Sequence, residues 1–226
     1  MQVQGIDEEI KGILFDMDGL LVNSEDLYWQ ANIQASKEAH LGTPDDTYLK
    51  LVGSTTKEMR SFYERYFKTE EERVRFIERT NELVEQWIAA GKLELRPGVQ
   101  QALDKFYNLD LPLAIVSSNY EKSIEQEMWA TGIRNYFQFH LNYDDVKEHH
   151  LKAKPAPDIY LWAAKKINIP KQNLLVFEDS STGVAAAANA GLKCVMIPDL
   201  LPPTDQDQEN ATLICHDFNE FLKRIK

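Results

Sequence analysis

The chain has 226 residues, 43% hydrophobic and 27% charged, with 10 Gly and 9 Pro, which excludes fibrous, collagen-like and wholly disordered chains. A net charge of −11 and a pI near 5.0 argue against nucleic-acid or anionic-membrane partners, because counterion release needs clustered Lys and Arg. Cys194 and Cys215 have no metal-site spacing, Met1 to Glu9 lacks a signal peptide's basic and apolar regions, and no run of 18 apolar residues occurs, so the expectation is a cytoplasmic, non-membrane protein.

After the acidic leader, Ile13-Leu14-Phe15 reads as a buried strand emptying into the turn Asp16-Met17-Asp18-Gly19. From Ser24 to Gly91 helical periodicity replaces the strand signal, with apolar stripes at Phe62, Tyr63, Tyr66 and Phe67 and again at Phe76, Ile77, Leu83, Val84, Trp87 and Ile88. Thr69 followed by Glu72 fits a capping box opening the second of these stripes. Beyond Arg96-Pro97-Gly98 strands and helices alternate. Leu113 to Val116 is a strand ending in Ser117-Ser118-Asn119, and a helix from Glu121 to Ala130 is stopped by Gly132. Phe137 to Leu141 is a weaker third strand. Pro155-Ala156-Pro157-Asp158 opens a helix through about Lys166, Leu174 to Phe177 is a strand ending in Glu178-Asp179, and an Ala-rich helix from Gly183 to Ala190 leads to a strand at Cys194 to Ile197. The segment from Thr212 to Cys215 and an amphipathic tail from Phe218 to Ile225 close the chain, while Asp205, Asp207 and Glu209 beside Pro202 and Pro203 read as an exposed loop.

Alternating strands and helices imply an α/β fold, a doubly wound, Rossmann-like parallel sheet (1–22 and 94–226) carrying an inserted all-α domain (23–93). Ligands bind such sheets beyond the carboxyl ends of the strands, where Asp16, Asp18, Ser117, Ser118, Asn119, Glu178 and Asp179 would gather. Four carboxylates brought together repel unless a cation joins them, and an all-oxygen set without His or Cys favours Mg²⁺ over Zn²⁺. A phosphoryl group docked on that metal needs donors for its other oxygens, and Ser117 Oγ, the Ser118 N–H and Lys154 can supply them.

The ordered set Phe15-Asp16-Met17-Asp18-Gly19-Leu20, Val116-Ser117-Ser118-Asn119, Lys154-Pro155-Ala156-Pro157-Asp158 and Phe177-Glu178-Asp179-Ser180-Ser181-x-Gly183 resembles the haloacid dehalogenase superfamily. The matching branch has a helical cap between its first and second motifs and contains sugar-phosphate phosphatases and β-phosphoglucomutases. The resemblance covers nearly the whole chain. It implies that Asp16 attacks phosphorus to form an aspartyl phosphate, that Asp18 serves as acid and then base, and that Ser117, Ser118 and Lys154 hold the transferring group. Asp16, Glu178, Asp179 and the Asp18 carbonyl would hold Mg²⁺, with Asn119 a further phosphate-loop contact. Asn23-Ser24-Glu25 and the stretch from Gly91 to Gly98 would be the linkers on which the cap moves.

Mutases of this branch carry a His after the first motif and a Lys and an Arg flanking a cap Gly. Those positions fall here on Tyr28, Val52 and Thr56, around Gly53, although Lys50, Lys57 or Arg60 could substitute. The expectation is therefore a monomeric Mg²⁺-dependent phosphatase of small phosphorylated metabolites, with Tyr28, Val52 and Thr56 facing the leaving group. A mutase and a non-catalytic phosphate-binding regulator are the alternatives. Dehalogenation has no use for Asp18 or the metal, and a signalling receiver would carry no helical insert.

Overall fold

The computed structural model describes residues 1–54 and 56–226, and nothing is described of the Thr56 and Lys57 side chains. In chain order, β1 (Gly12–Phe15) precedes a helical block of α1 (Ser24–Glu38), a 3-10 turn (Asp45–Leu51), α2 (Thr56–Tyr66) and α3 (Glu70–Ala89). Then come α4 (Val99–Asn108), β2 (Leu113–Val116), α5 (Glu121–Thr131), β3 (Phe139–Leu141), α6 (Tyr143–Glu148), α7 (Asp158–Ile167) and β4 (Leu174–Glu178). The chain ends with α8 (Ser181–Asn189), β5 (Lys193–Met196), α9 (Asp205–Asn210), β6 (Leu213–Ile214) and α10 (Phe218–Leu222).

The strands form one parallel sheet in the order β3-β2-β1-β4-β5-β6, which reverses direction of build between β1 and β4. Strands buried on both faces need apolar residues at every position, which is why Ile13-Leu14-Phe15 and Leu174 to Phe177 show no alternation. Ile13 and Phe15 enter one core with Phe106, Phe177, Phe218 and Phe221, where the Phe15 and Phe177 rings stack at 5.3 Å. Leu14 enters the opposite core with Val116, Val176, Ile159 and Ala186. Phe15 registers with both Ile115 and Phe177, so Asp16 leaves the sheet level with Val116 and Glu178, and Ser117 follows one residue beyond that level.

The helical block has its own core around Tyr48, Phe62, Phe76, Leu83 and Val84. Thr69 and Glu72 form the expected capping box at the start of α3. The two connections to the block pair with each other: Val22 bridges Leu95, the Asn23 N–H donates to the Glu94 carbonyl at 3.1 Å, and the Glu94 N–H donates to Asn23 Oδ1 at 2.8 Å.

Two local expectations need correction, and one short helix, α6, is additional to the predicted elements. The segment holding Asp205, Asp207 and Glu209 is the helix α9, not an exposed loop, and Asp207 is 1% exposed. Its carboxylate accepts from Thr204 N, Thr204 Oγ1 and Ser181 Oγ, so capping and a contact to α8 replace the solvent that the polar composition suggested. The acids from Asp144 to Glu148 lie in the short helix α6, capped by Asn142. The proline-opened helix starts later, at Asp158, with Lys152 N donating to Asp158 Oδ2 at 3.0 Å.

Candidate active site at the carboxyl rim

β1 delivers Asp16 to the rim, 8% exposed, where Lys154 Nζ lies 2.6 Å from Asp16 Oδ1, 2.6 Å from Glu178 Oε1 and 2.9 Å from the Val116 carbonyl. Tyr160, on the first turn of α7, donates to the same Glu178 oxygen at 2.6 Å. Glu178 is fully buried because α8 starts directly after β4: a Cβ at position 183 would fall on the Glu178 carboxylate, so Gly183 is required there. Carboxylate oxygens of Asp16, Glu178 and Asp179 all lie within 4.8 Å of one another.

One ammonium pairs with two of the three buried carboxyls, and the electrostatics register the shortage. Burial, with the charges of Glu178 and Asp18, pushes Asp16 from 3.8 up to about 7 against the opposing pull of Lys154. Burial and the Asp16 and Glu178 charges raise Asp179 well above the carboxylate range. Lys154 is lifted in turn, since those two carboxylates outweigh the desolvation that would lower it. A second, divalent cation fits this donor set: the atoms are all oxygen, they converge, and they carry more negative charge than Lys154 can balance.

Asp18 turns away from that cluster. Its carboxylate accepts from Ser24 Oγ at 2.9 Å, from Ser117 Oγ at 3.4 Å and from Asn119 Nδ2 at 3.3 Å. Burial raises its pKa while these three donors hold it down. Gly19, at φ +70°, permits the turn, and a Cβ there would meet Asp179 Oδ2 at 2.5 Å. Ser117 is fully buried and accepts the Asn119 N–H at 3.0 Å, whereas Ser118 is exposed on the cleft wall.

These residues floor a cleft of about 580 Å³ whose opposite walls are α1 and α3, with α5 along one side. Thr182 Oγ1 donates to the Gly53 carbonyl at 3.3 Å, so the helical block touches the rim. Tyr28 and Val52 line the cleft as expected; the Thr56 side chain lies outside the described residues, as does that of Lys57. Lys50 instead lines a separate recess with Arg65, and Arg60 pairs with Glu64.

The family model described as haloacid dehalogenase-like hydrolase matches residues 13–197, spanning all four motifs. The chain belongs to that family. It is 26% identical over 184 residues to the phosphorylated carbohydrates phosphatase of Thermotoga maritima, covering 81% of this chain and 83% of the relative. Protein CbbY of Rhodobacter capsulatus is 29% identical over 200 residues, covering 84% and 86%. A variant of CbbY from Rhodobacter sphaeroides, solved with xylulose-(1,5)bisphosphate, superposes with a TM-score of 0.75 at 25% identity, covering 93% of this chain and 96% of that one.

In this haloacid dehalogenase-like hydrolase, sequence reasoning missed Tyr160 as a partner of Glu178, Ser24 as a donor to Asp18, and the acids Glu25 and Glu127 on the cleft. Burial and the Asp18 and Asp199 charges push Glu25 from 4.5 to about 8. Glu127, 2% exposed on α5, is raised well above its usual range by burial and then by Asp18 and Asp16. The signal for Glu127 was present: Ile124, Glu127 and Met128 share one helical stripe, and an acid there interrupts apolar spacing. Among the described residues no helix is long and apolar enough to cross a membrane.

Proposed function

We propose that this hydrolase is a Mg²⁺-dependent phosphatase of small phosphorylated carbohydrates acting through an aspartyl phosphate. The observation that carries the reading is the divergence of the two aspartates: Asp16 faces Lys154 and the acid cluster, while Asp18 faces Ser24, Ser117 and Asn119. A nucleophile and a proton carrier need such different surroundings. Asp16 attacks phosphorus, and Lys154 beside it balances charge on the transferring group. Asp18 protonates the leaving oxygen and then takes a proton from the water that hydrolyses the intermediate, a contribution of about 10² to 10⁴-fold. Ser117, Ser118 and Asn119 supply hydrogen bonds to the phosphoryl oxygens. Asp16, Glu178, Asp179 and the Asp18 carbonyl would hold Mg²⁺, which when bound would supply charge neutralisation at phosphorus. The helical block acts as a cap that excludes water and contacts the leaving group. The name of the Thermotoga maritima relative supports carbohydrate phosphates as the substrate class.

The test is release of inorganic phosphate from p-nitrophenyl phosphate and a panel of sugar phosphates, with Mg²⁺ and with EDTA, for the wild type and Asp16→Asn. We expect turnover with Mg²⁺ only, reduced at least about 10⁴-fold by Asp16→Asn, the scale on which removing a nucleophile acts. Turnover surviving that substitution would remove the covalent mechanism.

A further inference from the structure

The mechanism gives work to the floor of the cleft and leaves its helical wall without a residue that reads the leaving group. On α1, Glu25, Tyr28 and Asn32 are spaced by three and four residues and all line the cleft, so one stripe of that helix runs up the wall from the rim. The foot of α1 is fixed, because Ser24 Oγ donates to Asp18 at 2.9 Å. Asn32 lies eight residues on, about 12 Å further along the helix axis. Its neighbours on the wall are mostly apolar, among them Trp29, Ile77, Val84 and Ile88. Asn32 is itself 5% exposed, and a buried amide needs partners for both of its ends. One end has a partner: Thr80 Oγ1, 4% exposed on α3, donates to Asn32 Oδ1 at 3.3 Å. The other end, Nδ2, has no acceptor among the described residues. It is not sealed away either, since the partnerless side-chain atoms closed to solvent are Arg73 Nε, Glu127 Oε2, Asp199 Oδ2 and Arg224 Nε. That amide nitrogen therefore opens on the cleft that Asn32 lines.

We infer that Asn32 is a specificity-determining residue whose Nδ2 donates to an oxygen at the far end of the leaving group, and that the substrate is a phosphomonoester long enough to bring one there: a pentose, a hexose or a larger oxygenated unit. This rests on the phosphatase reading and deepens it. Thr80 makes the donor usable, because holding Oδ1 fixes the plane of the amide and leaves Nδ2 as the group presented to the cleft. A mostly apolar wall with one placed polar group is the usual composition of a pocket that orients its ligand. An oxygen in reach gains a partner there, while an apolar group leaves the donor buried and unpaired. A leaving group of two or three carbons, held by its ester oxygen at Asp18, ends short of Asn32 and gains nothing from it.

The test is kcat/KM with Mg²⁺ for ribose 5-phosphate, glucose 6-phosphate and sorbitol 6-phosphate, each divided by kcat/KM for phenyl phosphate, whose leaving group carries no oxygen beyond the ester. Glycerol 3-phosphate, divided in the same way, is the short control. Such ratios cancel changes in the fraction of folded or metal-loaded enzyme, which are what a merely structural role would alter. Asn32→Leu, of similar size but without the donor, is expected to lower the ratio for the best of the three longer substrates at least about tenfold, the scale of a lost hydrogen bond that leaves its partner unpaired. The glycerol 3-phosphate ratio is expected to move less than about twofold. Thr80→Val loosens the amide without removing it and is expected to lower the longer substrate's ratio about threefold. Ratios that both variants leave within about twofold, or an equal drop for glycerol 3-phosphate, would overturn the inference. Hydrolysis of phenyl phosphate with none of the three longer substrates would overturn it and leave the phosphatase reading standing, whereas no turnover of any substrate would remove that reading and the inference with it. Circular dichroism checks folding, and if Asn32→Leu does not fold, Asn32→Ala carries the same comparison.

Discussion

At the sheet end of the cleft, Asp16 and Glu178 share Lys154 at 2.6 Å and Glu178 also accepts from Tyr160, whereas on the α5 wall Glu127 sits beside Asp18 and, among the described residues, its Oε2 has no donor. Both ends hold buried carboxyls, so burial by itself does not separate them. What differs is the counter-charge. Carboxyls built around a cation form a preorganised site for more charge, while a buried carboxyl without one holds its proton more tightly.

Removing the cation should break the first end most severely. Lys154→Met leaves Asp16 and Glu178 buried and unpaired, and breaking a buried ion pair from one side costs about 3 to 5 kcal/mol. Chemical denaturation in EDTA measures it, and a cost below about 1 kcal/mol would mean that the carboxyls do not depend on Lys154. Glu127→Leu should act in the opposite direction, stabilising the protein by about 1 to 3 kcal/mol because it removes an unsatisfied polar atom from an apolar stripe. Destabilisation of similar size would show that Glu127 has a structural partner and that the two ends are alike.

pH sharpens the contrast. Asp16 rises from 3.8 to about 7 and Glu25 from 4.5 to about 8 on folding. A carboxyl whose folded pKa lies above its unfolded value binds its proton more tightly in the native state. Its stabilising contribution is therefore complete below about pH 4 and is lost as pH rises through about 7 for Asp16 and about 8 for Glu25. In EDTA the melting temperature should fall across that window. Mg²⁺ competes for ionised Asp16, so it should recover the part of the fall centred near pH 7 and leave the part near pH 8. A Mg²⁺ shift of the same size at every pH would count against a metal bound at Asp16.

The sheet end was the legible one. A strand that ends in Asp16-Met17-Asp18 states where its carboxylates go, because a parallel sheet brings all strand termini to one rim; register then needs only Phe15 level with Ile115 and Phe177. The helical end was not, because α1, α3 and α5 meet there through tertiary packing that no local spacing encodes. Glu127 looks like Glu121 or Glu125 until its stripe is compared with theirs, and Asp207 looked solvated because its Ser181 partner lies on a separate element, although its Thr204 cap is only three residues away.

The smallest effect tests whether the wall opposite the sheet can be weakened without touching the chemistry. α3 supplies Thr80, Asn81, Val84 and Glu85 to the cleft, and its first turn is held by the box in which Thr69 Oγ1 accepts from Glu72 N at 3.1 Å while Glu72 Oε2 accepts from Thr69 N at 3.2 Å. Thr69 is exposed and lines no part of the cleft. Thr69→Ala should therefore cost about 1 kcal/mol, a melting-temperature drop of about 2 to 4 °C for a chain of this size. Because the cleft residues begin about two turns further along α3, at Ile77, kcat/KM should change less than about twofold, within what an exposed cap can transmit. A larger loss carried by KM with kcat intact would instead tie the leaving-group wall to the stability of the helix that forms it, and would make the helical end a soft surface where the sheet end is rigid.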